Sequence, residues 1–566
     1  MRDSPGSTPV DSEPVPAAAV AAVSPPLGYG SRPSTPSRVG REIRTPRTRG
    51  WHAGFEPVCF NDFLVWRSLS VVFLAALIAP TAVAAGGAKP DDWALPNLSR
   101  ASTRAAAGSP IAPGTVGHLR VLWRFRFLDS AITYPGKAPE SLRGVVATPI
   151  VVGNTVYIQD STSAVYALDR ATGRLRWEHR FSAPNFGRNG LSYSSGSLYA
   201  STDTTVFALS AESGKMLWQR RLITPVEQFI DIAPLIANNL VYVSTVGYPP
   251  GGRGAIYALD AHNGDIRWKF STIRGRWRYP GQAGGGGAWY TASVDAEGNI
   301  YSGVANPYPS GGTRTKPNGG AFPGAALYTD SLIYLDGKTG RLLWYDQVTP
   351  HDVRDYDFQL SPILASIPIG TRKEDMILGA GKAGIVIAWN EATHRRIWLT
   401  PVGRHLNDTG PLPAHTVEVC PGFYGGVESP MAYADGTVFV PVVDLCAHGS
   451  ADGYQEVGTL NPIDGTGEFV ALDAADGNVR WKRVLPQPDF GCATAASGVV
   501  FTSTFDGRIY AFSMRDGATL WQTRAPAGIN GCPALSGDML LVPAGSATTA
   551  MHDPKYELVA YAPHVG

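Results

Sequence analysis

Charge is scarce in this chain. Only 17% of its 566 residues are Asp, Glu, Lys or Arg, and 48 basic against 47 acidic residues leave a net charge of +1. That balance supplies no electrostatic footprint for nucleic acid. Set against 44% hydrophobic residues, it also excludes a coiled coil and a chain disordered throughout. Cysteine is scarcer still, at five residues, with no C-x-x-C pair to hold zinc and no C-x-x-C-H to anchor a haem. Runs free of Gly and Pro are short, because these two residues number 64 and 45. Punctuation at that density breaks long helices and leaves short strands joined by turns.

What is present begins with a leader. Residues 1–64 are rich in Pro, Ser, Ala and Arg without an apolar period, so they are expected to be disordered. Residues 65–84 bring Arg67, an apolar run from Leu69, and Ala82-Val83-Ala84 in A-x-A register. This is the pattern of a secretory signal cleaved after Ala84. The alternative is an uncleaved anchor in residues 69–85, a run of about 17 that only just reaches bilayer thickness, and only then would the protein meet a membrane. A true start near Val65 would explain the long leader. Residues 85–114 read as a linker. The chain is therefore expected outside the cytoplasm, periplasmic or extracellular, with Cys420, Cys446, Cys492 and Cys532 in an oxidising compartment.

From residue 115 to 566 a repeat takes over. Seven segments share an alternating apolar strand, a turn of the type Asp-x-x-(Thr/Asn/Asp)-Gly, and a short strand ending in Trp. VYALDRATGRLRW, ending at Trp177, is the first, and the others end at Trp218, Trp268, Trp344, Trp398, Trp481 and Trp521. The turn Gly supplies the positive φ that closes each hairpin. Spacings of 41, 50, 76, 54, 83 and 40 residues suit four-stranded blades of about 40–50 residues, some carrying inserted loops. An eighth copy is split between Leu558–Tyr561 and Leu122-Trp123. Pairing the chain ends in this way closes a ring and removes its sheet edges. The expectation is an all-β fold, one eight-bladed β-propeller.

The Trp-terminated turns resemble those of quinoproteins, the propellers that bind pyrroloquinoline quinone (PQQ), and the inserts resemble the PQQ-dependent alcohol dehydrogenases among them. In GGGGAWYTASVDAEGNIYSGVANPYPSGG the resemblance implies Trp289 as the floor under the quinone and Asn306 as a calcium ligand. An indole face is a sound dispersion platform for a flat tricycle. LIYLDGKTGRLLWYDQVTPHDVRDYD is similar to the family's catalytic blade and implies Asp336 as general base and metal ligand. Lanthanide-using members resemble one another in a second Asp two residues on; Lys338 stands there, which favours calcium. ILGAGKAGIVIAW implies Lys382 as the cation against the quinone's ortho carbonyls, catalytic and cofactor-binding. YPPGGRGAIYALD places Arg253 among the cofactor contacts, but puts Pro249 where a calcium-binding Glu is expected, so calcium is expected to bind weakly. VCPGFYGGVESPMAY and VPVVDLCAH imply a disulfide between Cys420 and Cys446. Cys492 and Cys532 open corresponding inner strands of adjacent blades, as a second disulfide or as free buried thiols.

Two further departures bear on the cofactor. Ala183-Pro184 stands at the level of the adjacent-Cys disulfide that many relatives carry, and Arg188-Asn189 follow in swapped order. His351, Asp352, Asp355 and Asp357 form an acidic loop, read as a solvated loop or as the lining of an entrance. The resemblance implies oxidation of a small-molecule alcohol, with electrons leaving to a separate acceptor such as a soluble cytochrome or quinone. The competing expectation is a catalytically degenerate propeller serving as a binding scaffold in the cell envelope.

Overall fold

The computed structural model describes residues 92–564 apart from 128–129, 133–139, 143, 182, 186, 224–227, 248–251, 276–283, 309, 320–323, 455–463 and 547–553. The leader, the signal segment and Pro249 lie outside the described residues. Eight antiparallel sheets follow one another along the chain, seven of four strands and the third of five, because Gln228–Phe229 adds to its strand Leu240–Gly247. We number them as blades 1 to 7, ending at the outer strands that carry Trp177, Trp218, Trp268, Trp344, Trp398, Trp481 and Trp521, and blade 8, which closes the ring. Blade 8 has Ala534–Ser536, Met539–Ala544 and Glu557–Pro563 from the C-terminus, and Leu119–Arg126 from the N-terminal side as its outer strand. The two chain ends pair from Leu119 opposite Pro563 to Arg126 opposite Glu557.

The burial pattern explains the strand sequences. Middle strands lie between neighbouring sheets and are buried on both faces, so Val165–Asp169 and Val206–Leu209 read as unbroken apolar runs. Outer strands alternate, as in Met216–Arg221, where Trp218 is buried between exposed neighbours. The hairpin before each Trp carries a register shift one residue after the Trp's cross-strand partner, as at Ala167/Leu168, Ala208/Leu209 and Ala258/Leu259. That partner is Ala in six of the seven blades, which leaves room for the indole.

Each Trp joins its blade to the next. Trp218 Nε1 donates to Ala261 O at 2.9 Å, Trp268 Nε1 to Gly337 O at 2.9 Å, and Trp398 Nε1 to Ala474 O at 3.0 Å. Except at Trp344 and Trp521, the indole lies flat on the next blade's turn glycine, which also adopts positive φ; Trp521 instead meets Tyr561 of blade 8 at 5.5 Å and 77°. A Cβ on Gly264 (φ 72°) would stand 2.5 Å from Trp218 Cε3. Between blades 4 and 5 the glycine is absent from the sequence, and His394 (φ 55°) takes its place, stacking on Trp344 with centroids 4.6 Å apart.

The stretch expected as a linker is, from residue 92 on, part of the domain. Its backbone bonds to the innermost strands of blades 1, 2, 4, 5, 6 and 7 through Trp93, Ala94, Arg100, Ala101, Thr103 and Arg104. Leu95 packs into blade 3, and Ser109 donates to Gly537 O in blade 8. Sequence composition missed this because the segment is extended and its packing is set by the ring, not by its own period. Arg104, fully buried, donates to Ala493 O, Pro96 O, Asn97 Oδ1, Thr494 Oγ1 and Pro533 O.

Candidate active site

In a four-stranded antiparallel blade, the connection between the second and third strands and the connection onward to the next blade leave from one end. The turns inside the other two hairpins leave from the opposite end. Asn306 lies between the second and third strands of blade 4, and Lys382 between those of blade 5. Asp355 and Asp357 lie in the connection from blade 4 to blade 5, and Trp289 and Glu428 in the connections into blades 4 and 6. All six therefore belong to one end of the ring.

Lys382 is the centre of the cluster. Its Nζ lies 2.9 Å from Asp355 Oδ2 and 2.7 Å from Asp357 Oδ2. Asn306 ties the same two acids together, donating from its backbone N to Asp357 Oδ1 at 2.8 Å and from Nδ2 to Asp355 Oδ1. Ser310 Oγ donates to Asp355 Oδ1 at 3.4 Å. Burial pulls the Lys382 ammonium toward neutrality, but Asp355 and Asp357 outweigh it and hold the group well above its ordinary value. Burial pushes the Asp357 carboxyl up, against the pull of Lys382. The Asp357 side chain is 2% exposed and that of Asp355 30%, so Asp355 is the carboxylate a small molecule can reach.

Around this cluster stand further polar groups. Glu428 is pushed up to about 7 by burial, with Lys382 opposing, and receives a hydrogen bond from Gln359 at 3.3 Å. Tyr290 donates its hydroxyl to Glu428 O at 2.5 Å, and Arg188 lies over its ring at 5.4 Å. Arg188 also donates to Asn530 Oδ1 at 2.6 Å and to Phe490 O at 3.2 Å. Phe229 sets its edge against Trp289 at 6.2 Å. Glycines let backbone pass backbone here: a Cβ on Gly254 would stand 2.0 Å from Gly286 O.

Asn306 and Lys382 are thus brought together, and Asp336 is not with them. Asp336 sits in the hairpin turn before the outer strand of blade 4, at the opposite end, where its Oδ1 accepts the N–H groups of Lys338 and Thr339 at 3.0 and 2.9 Å. Asp336 is thus the turn Asp common to the repeats, apart from the cluster of Asn306 and Lys382. The acidic loop is also corrected from a solvated one, since Asp352 and Asp357 are buried. Arg253, in the connection between the second and third strands of blade 3, belongs to the same end and donates to Gly275 O at 2.9 Å. Glu428 is not among the residues that the sequence pointed to; strand parity, which assigns every second connection to one end, is the signal that could have found it. Cys420–Cys446 is a disulfide, and so is Cys492–Cys532, which settles the alternative left open for the second pair.

A hard cation fits this donor set. Asn306, Asp355 and Asp357 offer oxygens, and the carboxylates outnumber the one ammonium among them. Burial, and then the charges of Asp352, Asp357 and Asp355, push the carboxyl of the wholly buried Asp330 well above its ordinary value, toward the neutral acid. Among the described residues one group of three His, Cys, Asp or Glu ligand atoms falls within 4.8 Å, Glu418 with Cys420 and Cys446, and both sulfurs there are spent in the disulfide. A flat anionic cofactor also fits, with Trp289 as an apolar face and Lys382 and Arg188 as cations.

Comparison with known proteins gives a consistent picture. Residues 93–405 match the family model described as glucose/ethanol/alcohol dehydrogenase, beta-propeller domain (PQQ), and residues 382–566 match that of the outer membrane protein assembly factor BamB. The chain is 27% identical to the quinohemoprotein alcohol dehydrogenase of Comamonas testosteroni over 80% of this chain and 72% of that one. It is 26% identical to the quinoprotein alcohol dehydrogenase PedH of Pseudomonas putida, covering 74% and 79%, and 24% identical to the lanthanide-dependent methanol dehydrogenase of Methylacidiphilum fumariolicum, covering 79% and 82%. The solved quinohemoprotein alcohol dehydrogenase ADHIIG of Pseudomonas putida superposes with a TM-score of 0.72 at 22% identity, covering 84% and 80%.

Proposed function

The chain belongs to the PQQ β-propeller family of glucose, ethanol and alcohol dehydrogenases, and from that premise we propose that it is an exported enzyme in which Asp355 is the general base for oxidation of an alcohol. The observation that carries this reading is the pair of anchors on Asp355, the Lys382 ammonium and the Asn306 amide, on a carboxylate that keeps an exposed side. PQQ would accept the hydride, and a metal held by Asn306, Asp355 and Asp357 would polarise its carbonyl oxygens. Asp355 takes the hydroxyl proton as the carbinol carbon gives up its hydrogen with both electrons, leaving a carbonyl product. Lys382, permanently charged, stabilises negative charge that develops on an oxygen beside it. Asp357 and Asn306 hold Asp355 in register, and Trp289 offers the apolar face against which a flat cofactor lies. Electrons then pass to a separate acceptor, a soluble cytochrome or quinone.

The metal preference changes with the base. Calcium was favoured because Lys338 follows Asp336 by two residues; two residues after Asp355 stands Asp357, so that reason falls away and a lanthanide becomes the better match. Reconstitution of the purified mature chain with PQQ and either Ca²⁺ or La³⁺, followed by dye reduction with primary, secondary and polyol substrates, tests the proposal. Retention of the quinone and substrate-dependent reduction are expected. Failure to retain PQQ at micromolar concentration would overturn it in favour of the envelope-scaffold reading, which Pro249 and the match of residues 382–566 to an assembly factor support.

A further inference from the structure

Glu428 is the one part-exposed residue in the stretch from Val419 to Ala432, whose other members are all buried. It belongs to the connection from blade 5 to blade 6, and other connections fix the chain around it. Val427 N donates to Gly381 O at 3.1 Å, one residue before Lys382. Tyr290, the neighbour of Trp289, donates its hydroxyl to Glu428 O at 2.5 Å. Ser429 Oγ donates to Phe490 O at 2.8 Å, the carbonyl that Arg188 Nη2 also reaches at 3.2 Å. Gln359, two residues beyond Asp357, donates its amide to Glu428 Oε2 at 3.3 Å.

Glu428 is thus held from the side of Trp289 by Tyr290 and from the side of Asp357 by Gln359. Its carboxyl group is only half engaged, because among the described residues one hydrogen bond reaches it, on Oε2. A part-exposed carboxyl group completes its hydrogen bonds with water. A molecule that displaces this water must replace those bonds or leave the acid unpaired, and hydrocarbon cannot replace them. Burial, with Asp357 and Asp355, pushes the Glu428 carboxyl up, while Lys382 and Arg188 act on it from the other side. Two cations already oppose its charge, so the partner it lacks is an uncharged O–H donor and not a third cation.

We infer that Glu428 is a specificity-determining residue that binds a second hydroxyl of the substrate, so that the alcohol oxidised at Asp355 is a diol or polyol and not a simple alkanol. The inference rests on the reading of the Asp355 cluster as the site of alcohol oxidation. Selection of this kind comes from the missing group: a site built to hydrogen-bond a substrate hydroxyl rejects the analogue that lacks it, because the protein's own polar group is then left unpaired.

The test is steady-state dye reduction by the protein reconstituted with PQQ and metal, using 1-propanol, 1,2-propanediol, glycerol, erythritol and 2-aminoethanol. Wild type, Glu428→Gln and Glu428→Leu would be compared, with bound PQQ followed by absorption. In the wild type, kcat/KM for at least one of the polyhydric substrates is expected to exceed that for 1-propanol by roughly tenfold or more. Glu428→Leu should lower this ratio by roughly tenfold or more, chiefly through KM, and Glu428→Gln, which keeps one acceptor oxygen, should lower it less. The Gln variant alone decides the matter if the Leu variant fails to retain PQQ. A ratio unchanged in the variants, equal losses on 1-propanol and the polyols, or a loss confined to 2-aminoethanol would overturn the role of Glu428 and leave the site standing. Absence of reduction with every alcohol in wild type that retains PQQ would overturn the oxidation site and the role of Glu428 with it.

Discussion

Asp336 and Asp355 are chemically identical side chains at the two ends of one outer strand, and only their neighbours distinguish them. Asp336 accepts two N–H groups of its own turn and faces water. Asp355 is clamped by an ammonium and an amide, both delivered by other connections. Replacing Asp355 by Asn keeps the shape and removes the proton acceptor, so kcat of the reconstituted enzyme should fall by roughly 10²–10⁴ while bound PQQ remains visible in the absorption spectrum. Asp336→Ala should leave kcat within about twofold of wild type and lower the thermal midpoint slightly, through loss of turn hydrogen bonds. Steady-state dye reduction and thermal unfolding on both variants check the pair. Asn306 and Lys382 were legible in the sequence because each sits in a distinctive segment of its own. Asp355 was not, since a sequence with an Asp at most hairpin turns offers a repeated decoy, and its clamping depends on Lys382 reaching over from the next blade.

At the scale of the element, the unit is the indole of one blade on the turn glycine of the next. The sequence shows this glycine as a turn former, which is half of its role; the other half, the absence of a Cβ under a Trp ring, emerges only when the blades are side by side. Gly264→Ala meets both penalties, positive φ and a Cβ 2.5 Å from Trp218. Gly196→Ala meets only the first, having φ 84° and nothing within 4 Å. The expected losses are about 2–4 kcal/mol for Gly264→Ala and about 1–2 kcal/mol for Gly196→Ala, read as urea unfolding midpoints. His394 shows how the pattern is broken without loss of docking, for its ring replaces the glycine surface as a stacking partner and receives Tyr301 Oη at 2.9 Å. The repeat made the blade number readable despite that gap, because Trp344 and Trp398 keep their spacing on either side of it.

At the scale of the whole molecule, the ring is centred on a segment that looked like a tether. Residues 93–106 touch the inner strands of six blades through their backbone, and Arg104 spends five hydrogen bonds on carbonyl and side-chain oxygens around it. Arg104→Ala removes a buried cation and leaves Ala493 O, Pro96 O and Pro533 O without that donor, for an expected loss of about 3–5 kcal/mol. Arg104→Met, which restores most of the volume, should recover only part of it, and the difference in thermal midpoint between the two variants separates packing from hydrogen bonding. None of this was legible from composition, since an extended segment acquires its partners only from a closed ring.

Blade 8 has a consequence for the order of events in synthesis. Leu119–Arg126 is made more than 400 residues before Glu557–Pro563, yet the two must lie side by side. Until Glu557–Pro563 is made, Leu119–Arg126 has no hydrogen-bonding partner in blade 8 and is open to pairing with another chain. The earliest strand therefore waits unpaired until translation is nearly over, and a ribosome that stops before residue 557 releases a product that cannot seal. Completion of Glu557–Pro563 acts as the latch, because it supplies the partner of Leu119–Arg126 and closes the ring.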